Sequence, residues 1–74
     1  FSYKEQREFG TIDDAIAALE GEIAAVKAEA EAKASDYVAL QELQTRQEAL
    51  EAALEEKMDR WVYLNDLAER IARQ

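Results

Sequence analysis

Apolar residues recur along this chain at alternating intervals of four and three. Ile12, Ile16, Leu19, Ile23, Val26 and Ala30 form one series. Leu40, Leu43, Gln47, Leu50, Leu54, Lys57, Trp61, Leu64, Ala68 and Ile71 form a second, with Gln47 and Lys57 as its polar members. Such spacing puts each series on one stripe of a helix, the seam of a coiled coil. The first series fails at Lys33, inside "AKASDY", where Ser35 or Asp36 can cap a new helix. The pattern therefore predicts a tight turn over residues 33–36. A short turn between long amphipathic helices makes them antiparallel neighbours. With the turn near residue 35, Ala30 should face Leu40, Ile23 face Gln47, Leu19 face Leu50 or Glu51, Ile16 face Leu54 and Phe9 face Trp61.

The start of the chain reads differently. "SYKE" has the spacing of a capping box, with Ser2 as the cap and Glu5 reaching back. A short helix from Tyr3 to about Glu8 is expected, then a break at Gly10. Thr11 is a good N-cap for a restart, with Asp13 and Asp14 in the first turn, where carboxylates favour the helix dipole. The expected fold is all-α: an antiparallel two-helix coiled-coil hairpin with a short N-terminal helix packed against the end of the long second helix. Residues 1–10 are the short helix and hinge, 11–34 the first coiled-coil helix and 35–74 the second, all in one domain. At about 1.5 Å per residue the second helix, about 37 residues, reaches roughly 55 Å, and the first, about 22 residues, roughly 33 Å. The second helix outruns the first. Phe1, Tyr3, Phe9, Trp61, Leu64 and Ile71 are then expected to form a junction where the leading residues cover the leftover rod, with Trp61 buried in it.

Composition supports helices and removes much chemistry. Fifteen of the 74 residues are Ala, and there is no Pro, Cys or His. Disulfides, thiol catalysis, zinc fingers and imidazole acid–base chemistry are excluded together. No apolar run approaches the roughly 20 residues of a membrane span. A start at Phe1 reads as a piece of a longer chain. Gln47 either fixes the register of the seam or turns its amide to water, and Met58 is expected to supply the apolar contact that Lys57 does not. The second apolar stripe needed for pairing of two hairpins is weak, resting on Leu43 or on Val62 and Leu67, so a monomer is expected.

The net charge is −8, and it is concentrated in the middle. Residues 12–56 hold twelve acids against Lys27, Lys33 and Arg46. Glu51, Glu55, Glu56 and Asp59 share a face of the second helix, but paired catalytic carboxylates need an enclosed pocket, which a two-helix hairpin does not offer. No metal-ligand spacing is present. The cations gather at the ends. Lys27, Lys33 and Arg46 fall toward the hairpin tip, and Lys4, Arg7, Lys57, Arg60, Arg70 and Arg73 toward the base. They serve either as solubilising charges in i,i+4 pairs, such as Asp66 with Arg70 and Glu42 with Arg46, or as local contacts to phosphate.

"FSYKEQREF" at the start and "EEKMDRWVYLNDLAERI" near the end resemble the C-terminal domain of ABC-F ATPases, in particular the Uup-type branch. The resemblance spans essentially the whole chain; its ends are the specific part and its middle is general coiled coil. Gly10 falls where helix formers are usual in that family, and the hairpin is more acidic than a nucleic-acid binder favours. The resemblance implies a cytoplasmic parent protein with two ATP-binding cassettes, using ATP and Mg, and without membrane spans. None of the cassette motifs lies in this chain, so no cofactor and no catalysis are expected of it. It also implies a nucleic-acid directed appendage that touches DNA or ribosomal RNA through Lys27, Lys33, Arg46, Lys4, Arg7, Arg60, Arg70 or Arg73. The alternative is a structural or protein-interaction coiled coil that spaces or docks the cassettes of the same chain.

Overall fold

The computed structural model describes residues 1–74 as two helices, α1 (Tyr3–Ala32) and α2 (Tyr37–Ala72), joined by residues 33–36. They lie side by side as an antiparallel hairpin 58 Å long and 17 by 14 Å across. The long dimension is set by α2, whose 36 residues give about 54 Å at the helical rise. Neither helix is long and apolar enough to cross a membrane.

The turn forms where the seam pattern fails. The Lys33 N–H closes α1 on the Glu29 carbonyl, and the Asp36 N–H bonds the Lys33 carbonyl at 2.9 Å. Of the two caps the sequence offers, Asp36 is the one used; its carboxylate accepts from the Ala39 N–H at 3.1 Å. At the other end of α1 the capping box closes in both directions, Ser2 N–H to Glu5 and Glu5 N–H to the Ser2 hydroxyl.

The break expected at Gly10 is absent, and residues 1–10 do not form a separate helix. α1 runs through Gly10 and Thr11, and the Thr11 hydroxyl donates back to the Arg7 carbonyl at 3.2 Å instead of capping a new helix. The reason lies in the phase of the seam. Glu5, Phe9 and Ile12 are spaced by four and three, so they prolong the series Ile12 to Ala30 without a slip. A break would forfeit the packing of Phe9 and Glu5, both half-buried, while Gly inside a helix costs only about 1 kcal/mol. The leading residues therefore do cover the end of α2, but as the first turns of α1.

The core is one narrow line. Ile12, Ile23, Val26, Leu43 and Leu64 are the buried side chains. Ile16, Leu19, Ala30, Leu40, Gln47, Leu50, Leu54 and Ala68 are half-buried between them, so the α1 seam is in place from end to end. Gln47 bonds Glu51 on its own helix at 3.0 Å, which is the water-facing alternative. In α2 the seam departs from expectation at its outer third. Lys57 is exposed, and so is Met58, which therefore does not replace it.

Trp61 is not the buried plug of the base; it remains 40% exposed, and Ile71 and Tyr3 are exposed as well. Helical side chains lean toward the N-terminus of their own helix. In an antiparallel pair, residues that face each other at the backbone therefore lean in opposite directions. Trp61 leans toward the tip, and its indole Nε1 donates to Asp13 at 2.8 Å, one turn beyond Phe9. Phe9 leans toward the open end and takes Phe1 as its ring partner, with centroids 5.2 Å apart. Leu64, fully enclosed, holds the place that the sequence suggests for Trp61.

A Cβ built at Gly10 or Gly21 meets nothing within 4 Å, and neither glycine has a positive φ. Gly10→Ala and Gly21→Ala should each stabilise the hairpin by about 0.5–1 kcal/mol, read as a raised urea midpoint with an unchanged m-value. Leu64→Ala should cost about 2–5 kcal/mol, more than Trp61→Ala, because the larger ring is already partly in water. Thermal denaturation followed by circular dichroism ranks the two variants.

Candidate nucleic-acid interface

Every hydrogen bond between side chains of the two helices lies at the base. The Tyr63 hydroxyl donates to Glu5 at 2.8 Å. The Arg60 Nε–H is shared by both oxygens of Glu8, at 3.0 and 2.9 Å. The Arg60 guanidinium also sits over the Tyr63 ring, 4.7 Å from its centroid. With the Trp61–Asp13 bond, these contacts fasten the first turns of α1 to the outer third of α2. The bonds from Ser2 and Tyr63, helped by the nearby Arg60 charge, hold the Glu5 carboxyl below its ordinary range. The same carboxylate pushes the Tyr63 phenol up, through the hydrogen bond and through its charge.

The cations fall into two groups. Lys33 pairs with Glu29 at 3.0 Å, Arg60 with Glu8 at 2.9 Å, Arg70 with Asp66 at 2.8 Å, and Arg73 with Glu69. Arg7 lies over the Tyr3 ring, 5.8 Å from its centroid. Lys4, Lys27, Arg46 and Lys57 make no ion pair; Glu42 and Arg46, expected as partners, do not bond. Surface pairs of the kind that do form contribute about 0–1 kcal/mol each, so a polyanion could displace them at little cost.

Register sorts these cations by flank. Residues that follow a seam position on either helix share one side of an antiparallel pair, and residues that precede one share the other. Arg46 and Arg60 precede Gln47 and Trp61, so they lie on the same side, the basic flank, where four cations stand among acids. Arg46 lines an open groove with Lys33, Glu29 and Glu42. Arg60 lines a second groove with Lys57, Tyr63 and three acids, Glu8, Glu56 and Asp59, so both grooves are of mixed charge. Lys27 follows Val26 and lies on the opposite, acidic flank, in a groove with Glu20 and Glu51. The tip cations singled out from the sequence are therefore not brought together: Lys33 and Arg46 share a groove and Lys27 faces away.

A family model described as the ABC transporter C-terminal domain matches residues 1–66. The chain belongs to the ABC transporter C-terminal domain family. It is also 39% identical over 70 residues to a relative from Bacillus subtilis (strain 168) described as the uncharacterized ABC transporter ATP-binding protein YfmR. That alignment covers 95% of this chain and 11% of the relative, so the chain spans about a tenth of the relative's length. No solved structure matches.

In this ABC transporter C-terminal domain, sequence reasoning missed the base contacts of Glu5, Glu8 and Asp13. The signal was available: each acid stands near the position that hairpin register assigns to Tyr63, Arg60 or Trp61. No group of three or more His, Cys, Asp or Glu residues could hold a metal ion.

The base contacts give the domain a defined pH response. The Glu5 contribution to stability is complete above its ordinary pKa of 4.5 and is lost as pH falls through the lower folded value. The Tyr63 contribution is complete below its ordinary pKa of 10.0 and is lost as pH rises through the higher folded value. Denaturation midpoints measured across pH should fall at both extremes, and Tyr63→Phe should remove the alkaline limb while reducing the acid one.

Proposed function

We propose that this chain is the C-terminal coiled-coil hairpin of a cytoplasmic ABC-F ATP-binding protein, and that it is a nucleic-acid directed appendage with no catalysis of its own. ATP and Mg belong to the cassettes of the parent protein. The hairpin contributes reach: a rod 58 Å long that carries a recognition surface away from those cassettes. The observation that supports the reading is the pairing of cations on the basic flank, Lys33 with Arg46 in one groove and Lys57 with Arg60 in another, each pair standing among carboxylates that a phosphate would have to displace. A net charge of −8 disfavours binding along the whole length, so the contact is local and made on that flank. Lys4, Arg7, Arg70 and Arg73 can extend it at the base.

The net charge also favours a second reading, in which the hairpin spaces or docks the cassettes of its own chain and touches no nucleic acid. One comparison separates the two. Binding of the chain to duplex DNA and to whole ribosomes is measured at low and moderate salt. Under the first reading at least one target binds, two phosphate contacts cost roughly tenfold in affinity between 50 and 200 mM salt, and the double variant Lys33→Glu, Arg46→Glu abolishes binding while Lys27→Glu does not. No binding to either target at 50 mM salt, or equal loss in Lys27→Glu, would refute it.

A further inference from the structure

The acidic flank carries a feature that the proposed function does not use. Met58 and Val62, one turn apart on α2, are 52% and 59% exposed, and Trp61 between them is 40% exposed. Met58 follows the seam position Lys57, which places the group on the side of Lys27 and away from Arg46 and Arg60. The Trp61 indole is held across the two helices by its bond to Asp13, and the Trp61 backbone carbonyl accepts from the Asn65 amide at 2.8 Å. It is an exposed aromatic anchor whose orientation is fixed before any partner arrives, the kind of side chain that carries binding energy at interfaces.

Carboxylates border this apolar spot. Glu51 and Glu55 stand one turn or more before Met58 and Val62 on the same side of α2, and Asp13 stands across from them on α1. None of the three makes an ion pair: the acids engaged by cations are Glu8, Glu29, Asp66 and Glu69. Asp13 and Glu51 accept only from neutral donors, the Trp61 indole and the Gln47 amide. The spot thus combines exposed apolar surface with a surplus of carboxylates, Lys27 beside Glu51 being the one cation in the neighbouring groove, and its complement is apolar with flanking positive charge.

We propose that Met58, Trp61 and Val62 form a docking surface for a basic amphipathic helix of a partner protein. The apolar side chains of that helix would cover the three residues, and its Lys or Arg side chains would reach Asp13, Glu51 and Glu55. A phosphate backbone is repelled by the same carboxylates, so this surface and the basic flank select different partners from opposite sides of one rod. The inference does not depend on nucleic-acid binding by the basic flank.

The test uses the 74-residue chain, whose single Trp lies in the patch. The probe is a synthetic amphipathic helix of Leu and Lys, compared with its Leu and Glu counterpart and with an oligolysine of equal length. The Leu–Lys probe should bind with a blue shift of Trp61 emission and with shifts of the Met58 and Val62 methyl resonances. The double variant Met58→Gln, Val62→Gln should weaken it at least tenfold, and Glu55→Lys should weaken it in a salt-dependent way. Lys33→Glu with Arg46→Glu should leave it unchanged. Since these side chains are exposed, helical circular dichroism should be preserved in every variant. Equal binding of oligolysine, retention of binding in the Met58 and Val62 variant, or patch shifts produced by duplex DNA would each overturn the proposal. So would methyl shifts that grow with protein concentration alone, which would make a second copy of the chain the occupant.

Discussion

The hairpin depends on a single seam kept in phase. Two helices have only each other to pack against, so every apolar side chain that leaves the shared line is surrendered to water. The spacing of four and three from Glu5 through Phe9 to Ala30 is what keeps α1 on that line. It explains why α1 passes through Gly10 and Thr11, two residues that together suggest a stop and a restart. A local preference worth about 1 kcal/mol yields when breaking the helix would strand the residues beyond it. With five buried side chains in the whole chain, no other source of stability could make up that loss.

This also sets what was legible in the sequence. The all-α hairpin, the turn at 33–36 and the six seam positions of α1 follow from periodicity, and periodicity is a property of the backbone. The fate of individual side chains was less legible. Hairpin register pairs residues only at the level of their Cα atoms, which places Phe9 against Trp61. The lean of each side chain along its helix carries those two rings apart, one to Phe1 and the other to Asp13. The polar contacts of Glu5 and Glu8 are hidden in the same way, because acids on a coiled coil read as a solvated face until their partners are placed.

Charge shows a similar division. Counting cations by their distance from the tip groups Lys27 with Lys33 and Arg46, yet in the hairpin Lys27 belongs to the other side. Position along the rod is visible in sequence order, while position around it depends on whether a residue precedes or follows the seam. An acidic total then says little about either flank. Four cations stand among five acids in the grooves on one side, and in the groove on the other Lys27 stands with Glu20 and Glu51.

The distribution of fastenings along the rod has a mechanical consequence. Inter-helix side-chain hydrogen bonds are confined to the base, where Arg60, Trp61 and Tyr63 meet Glu8, Asp13 and Glu5. The tip is held by a four-residue turn and by aliphatic contacts of Val26, Ala30, Leu40 and Leu43, which are non-directional. The turn and the buried Val26 and Leu43 fix the register at the tip, and the directional bonds fix the angle of the pair at the open end. Both ends of the rod are therefore held, by different means: covalently and by apolar burial at the tip, by side-chain hydrogen bonds at the base. The surface ion pairs add little to either: the Lys33–Glu29 pair lies wholly on the surface, so its loss would leave the seam undisturbed.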